Sequence, residues 1–151
     1  MRIIEIPVIG SRSSQKENLY NLLSENALRN FEGFDLGLLK LDDEYAVHFY
    51  FMNMENENYY YLWDIIIPHA VGCLVVCEWR NHQSVDENLK TIEYLERRFS
   101  TPLYICSLPA DEEVPESFIN EELQKGQRKL FSFDPENKES AKEILVSVLE
   151  N

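Results

Sequence analysis

The run VGCLVVC, Val71 to Cys77, constrains this chain more than any other stretch. It carries no charge and does not alternate. A strand with one wet face alternates apolar and polar residues, so a continuous run belongs to a sheet covered on both faces. Parallel strands in such a sheet need crossover segments, usually helices. The flanking sequence supplies them. Val85, Leu89, Ile92, Leu95 and Phe99 recur at helical spacing, and PLYICSL then reads as the next strand.

The same alternation runs along the chain. Ile3 to Ile9 reads as a first strand. A helix is expected from about Lys16 to Arg29, with Leu19, Leu22, Leu23 and Ala27 on one face. FDLGLLKL and EYAVHFYF are separated only by Asp42-Asp43, a link too short for a parallel crossover, so they form an antiparallel hairpin. YYYLWDIII reads as a helix. Pro115 suits the first turn of a short helix, KLFSF is a last strand, and Ala141, Ile144, Leu145, Val148 and Leu149 line a C-terminal helix. No repeat or linker interrupts the order, so residues 1–151 read as a single domain. The fold class is α/β, a mostly parallel sheet with one antiparallel edge strand and helices on both faces.

Charge and composition narrow the function. A net charge of −13 argues against nucleic acid and anionic membrane surfaces, which need a basic face. No apolar run reaches membrane-spanning length, and Glu5 interrupts the one candidate for a leader. Cys73, Cys77 and Cys106 lie in apolar runs. They read as free buried thiols in a reducing, cytoplasmic setting rather than as metal ligands. His48, His69 and His82 are far apart in sequence, and no triad or metal spacing accompanies them. No catalytic or metal-binding residue is expected.

The loop GSRSSQKE follows the first strand, where a phosphate loop would sit. Gly10 and Lys16 have its spacing, but Gln15 occupies the second glycine position and Glu17 replaces the Ser or Thr whose hydroxyl would hold Mg²⁺. Gln15 puts a side chain where the backbone should approach the phosphates, and Glu17 adds a negative charge there. Ser14 and Glu17 instead have the spacing of a capping box, with Ser13 as an alternative cap.

This element order, with a glycine-containing loop after the first strand, resembles the Ras-like small GTPases. It is most similar to the bacterial and archaeal branch related to gliding-motility and cell-polarity GTPases. The likeness is clearest over LWDIIIPHAVGCLVVCEWRNHQSVDENLKTIEYLERRFSTPLYI. It implies the three-layer P-loop NTPase fold with a six-stranded sheet. It also implies where nucleotide motifs should stand. The first-switch threonine falls in Asn30 to Phe34, which has no hydroxyl. The second-switch glycine and glutamine align with Glu55 and Asn56. The guanine-reading motif aligns with Leu108-Pro109-Ala110-Asp111, where Asp111 alone survives. Gly10, Gln15, Lys16, Glu17 and Asp111 are thus vestigial nucleotide positions, and no cofactor is expected. The losses act on separate parts of a nucleotide, so the resemblance points to a degenerate, pseudo-GTPase member.

Such a protein would work as an interaction subunit through its switch-like face. Tyr59, Tyr60, Tyr61 and Trp63 are the expected partner-binding residues. Consecutive helical side chains diverge by about 100°, so they cannot all face the core, and Tyr and Trp dominate binding hot spots. The competing reading has the tyrosines shielding an empty cleft. The resemblance suggests a Roadblock/LC7-type protein as partner. The alternative function is a divergent GTP-binding protein with weak binding and little hydrolysis.

Overall fold

A computed structural model describes residues 1–10, 19–22, 27–54, 56–109, 113–125 and 128–150. Seven strands form one sheet: β1 (Arg2–Gly10), β2 (Arg29–Phe31), β3 (Phe34–Lys40), β4 (Tyr45–Met52), β5 (Cys73–Cys77), β6 (Leu103–Ser107) and β7 (Lys129–Ser132). The helices are α1 (Tyr61–Ile66), α2 (His82–Arg98), α3 (Glu116–Leu123) and α4 (Lys138–Glu150), and residues 19–22 are also helical. The strand order is β2-β3-β4-β1-β5-β6-β7. β1 pairs in parallel with β4 and β5, and β6 pairs in parallel with β5 and β7. β3 runs antiparallel to β4, as the two-aspartate link requires. Asp42 shapes that link by accepting from the N–H groups of Glu44 and Tyr45, both at 2.8 Å.

Two apolar layers sandwich the sheet. In β5, Leu74 and Val76 face one layer, while Cys73, Val75 and Cys77 face the other. Ala141, Ile144, Leu145 and Val148 of α4 pack with Leu19 and Tyr20 in the first layer. Val85, Ile92 and Leu95 of α2, Ile119 and Leu123 of α3, and Trp63 of α1 fill the second. β5 is buried at every residue because it is central and covered twice. This is the arrangement its sequence demanded.

Three expectations need correction. The sheet has seven strands, not six: Arg29–Phe31 adds a short β2 outside β3, so the antiparallel β3 is not the edge. Glu32 and Gly33 make the two-residue turn between them, and Gly33 has φ +91°, a conformation glycine adopts without a Cβ clash. The helix expected to run to Arg29 has ended before Ala27, which is exposed, because Arg29 is already paired in β2. The YYYLWDIII segment is only partly α-helical. Glu57–Tyr59 and Ile67–His69 are 3₁₀ turns on either side of the six-residue α1, and Pro68 sits in the second.

Candidate functional site

The strand order reverses at β1, which lies between β4 on one side and β5 on the other. Ligands of open α/β sheets bind at such a switch point. Gly10 closes β1 there, buried and paired with Val76. Gln15, Lys16, Glu17 and Asp111 lie outside the described residues, as do Ser13, Ser14 and Glu55. The capping box and the phosphate-loop comparison rest on those residues. Leu108 and Pro109 of the guanine-motif counterpart are buried and exposed, respectively.

The switch-like segments are built from direct protein contacts. The first, Asn30 to Phe34, is committed to the β2–β3 turn. That turn rests on the second segment. A Cβ at Gly33 would stand 2.6 Å from Leu62 Cδ1 and 3.0 Å from Tyr59 Cδ1. Asn53 donates its N–H to the Gly33 carbonyl at 3.0 Å. The Tyr59 hydroxyl donates to Glu32 at 3.3 Å, and that nearby carboxylate raises the phenol's pKa. Asn56 is exposed and caps the first 3₁₀ turn by accepting from the Asn58 N–H.

The four aromatic residues singled out in sequence have different surroundings. Trp63 is 2% exposed, with the Tyr60 ring 4.5 Å away and the Tyr94 ring 6.0 Å away. Its Nε1 has no hydrogen-bond partner among the described residues. Tyr60 is half-buried, and its hydroxyl donates to the Met54 carbonyl at 2.9 Å. Desolvation, then the charge of Glu57, raises its pKa. Tyr59 is half-buried against the turn. Tyr61 is 59% exposed and shares its side of α1 with Ile65, four residues on and 58% exposed. The segment therefore contains an anchor, Trp63, and a free apolar pair, Tyr61 and Ile65.

Asp64 ties α1 to α2. Arg98 donates Nε and Nη2 to its two carboxylate oxygens, both at 2.7 Å. These bonds hold the Asp64 carboxyl below its ordinary value. The Arg98 guanidinium also stands 5.9 Å from the Tyr94 ring. On the same side of the sheet, the Tyr50 hydroxyl donates to Glu5 at 3.0 Å, and burial pushes its pKa up to about 12. His48, His69 and His82 sit on β4, on the second 3₁₀ turn and at the start of α2.

Sequence reasoning missed two residues. Tyr20 is fully buried, and its hydroxyl both donates to the Leu38 carbonyl and accepts from the Leu38 N–H, closing the edge of β3 beyond the end of β2. Trp79 is 1% exposed and donates Nε1 to the Ser107 hydroxyl at 2.6 Å, joining the ends of β5 and β6. Their register depends on neighbouring strands, so no local pattern marked them.

This strand order, with helices on both faces of the sheet, is the Ras-like small-GTPase fold. The Arl6 (BBS3) small GTPase of Trypanosoma brucei, solved with the nucleotide analogue GppNp bound, is similar at a TM-score of 0.69 and 11% identity, over 99% of this chain and 96% of that one. The G domain of the T. maritima FeoB iron transporter is similar at 0.65 and 13% identity, over 98% of this chain and 99% of its own. No family model and no curated protein matches the sequence.

Proposed function

We propose that this chain is a catalytically silent GTPase-fold protein, a pseudo-GTPase, that acts as an interaction and regulatory subunit through its switch-like face. One observation carries the reading: the two switch-like segments hold each other through Gly33 against Leu62 and Glu32 against Tyr59. In a cycling GTPase the γ-phosphate and Mg²⁺ order these segments. Here the Tyr59 hydroxyl donates to Glu32 and Leu62 stands against Gly33, so protein groups make the contacts between the two segments. The binding surface is then constitutive, with Tyr61 and Ile65 as its exposed apolar contacts and Tyr59, Tyr60 and Trp63 as the frame beneath. The proposed partner is a protein of the Roadblock/LC7 type, as the gliding-motility and polarity resemblance suggests, in a cytoplasmic signalling complex.

The test is a thermal-shift titration with GTP, GDP and ATP, with and without Mg²⁺. A ligand bound only by the folded chain adds about RT ln(1 + [L]/Kd), roughly 4 kcal/mol at a thousandfold excess over Kd. No shift is expected. A guanine-specific shift would overturn the pseudo-GTPase reading in favour of a divergent GTP-binding protein that uses Lys16 and Asp111.

A further inference from the structure

The sheet's other edge carries an inference independent of the nucleotide question. β7 is paired only with β6 among the described residues. Phe133 donates its N–H to the Ser107 carbonyl at 2.8 Å, on the β6 side. Backbone groups alternate along a strand, so the N–H and C=O groups of Leu130 and Ser132 point to the open side. Beside them a groove of about 730 Å³ runs between the first turns of α3 and α4. Its apolar wall includes Ile119 and Leu130.

The groove's charge is one-sided. Glu116, Asp134, Glu139 and Glu143 line it, with no Lys or Arg lining it among the described residues. Two helix N-termini contribute only about half a positive charge each, and Glu116 and Glu139 in their first turns oppose it. Lys142 meets Glu139 at 3.7 Å, which offsets one carboxylate. Lys129 lies at the far end of β7, its ammonium 5.1 Å from the Tyr104 ring. The balance remains negative, which disfavours phosphate and other anions and favours a cationic guest.

We propose that β7 and this groove form a docking site for an extended basic segment of a partner protein, which adds a strand beside Leu130 and Ser132. Main-chain bonds to the edge hold such a guest, and alternate side chains select it. Lysines or arginines at every second position meet the acidic rim. Apolar residues between them lie on the wall. The four residues of β7 limit the paired stretch to a short segment.

A labelled hexapeptide of alternating Lys and Val tests this by fluorescence anisotropy, beside a hexapeptide of alternating Glu and Val. Saturable binding of the Lys peptide is expected, weakened by salt. A Glu139→Lys, Glu143→Lys double variant and a Ser132→Pro variant should each weaken it by about tenfold or more, a change of about 1.4 kcal/mol. Circular-dichroism melts check that both variants fold. If Ser132→Pro loses its fold, amide exchange in the native chain decides, with the Leu130 and Ser132 amides slowed by the Lys peptide. The proposal fails if the Lys peptide does not bind, if the Glu peptide binds equally well, or if neither amide responds. Self-association of the native chain that Ser132→Pro abolishes would assign the edge to a second copy and also overturn it.

Discussion

Gly33 lies directly against Leu62, and the contact joins the β2–β3 turn to α1. Gly33→Ala meets two penalties there. A Cβ is disfavoured at φ +91°, and it would enter space held by Leu62 Cδ1. The expected loss is about 1–3 kcal/mol in urea unfolding. Adding Leu62→Ala should recover the steric part, seen as a favourable coupling in the double-mutant cycle. Additive losses would mean that the turn and the helix are independent.

Trp63 and Tyr61 should separate stability from binding. Trp63→Ala empties a buried site and is expected to cost about 3–5 kcal/mol. Trp63→Phe should cost less, because it keeps a ring and removes the N–H that lacks a partner. Tyr61→Ala should change stability by no more than about 0.5 kcal/mol, yet weaken capture of a Roadblock/LC7-type partner by about tenfold or more. Denaturant melts and a binding titration on the same preparations read both quantities. Unchanged partner binding by Tyr61→Ala would remove this face from the proposed interface.

The Asp64–Arg98 pair has a defined acid limb. The hydrogen bonds to Arg98 lower the Asp64 pKa from its ordinary 3.8. A lowered carboxyl contributes stability above the unfolded value, and that contribution is lost as pH falls through the folded value. The loss therefore falls below pH 3.8. Both groups are largely solvated, so the effect should be small and weakened by salt. Arg98→Met should raise the Asp64 titration midpoint toward 3.8, followed by carboxyl NMR. An unchanged midpoint would show that the pair does not persist in solution.

The thiols should be silent in the folded chain. Burial pushes Cys73 and Cys77 up to about 12, and Cys106 higher still. The thiolate is the nucleophile, so neither its population nor its access favours reaction. A chromogenic disulfide reagent at pH 8 should find no fast-reacting thiol among the three. Full reaction is expected in denaturant, and the slow native rate should follow global opening. A rapid native reaction would contradict their burial between the sheet and its helices.

The second-half elements were legible because each announces its own face. VGCLVVC is continuous because β5 is covered twice, and Val85, Ile92 and Leu95 mark the buried side of α2 by spacing alone. β2 was not legible. Arg29–Phe31 is exposed throughout, and its strand character comes from pairing with β3 across the Glu32-Gly33 turn. Within the candidate site, Tyr59 to Trp63 was recognisable as a run with too many aromatics for one face. Which ring is anchor and which is surface depended on Tyr94 and Met54, contributed by other segments.

The sequence by itself determined the order of the second-half elements and the double cover of the central strands, because periodicity and residue chemistry are local properties. Tertiary structure alone decided that Trp63 is buried while Tyr61 is exposed, that Asp64 meets Arg98 across 34 residues, and that β7 is the last strand of the sheet among the described residues, beside an acidic groove. Those outcomes are set by the crossovers, which bring distant residues together at separations that no local spacing encodes.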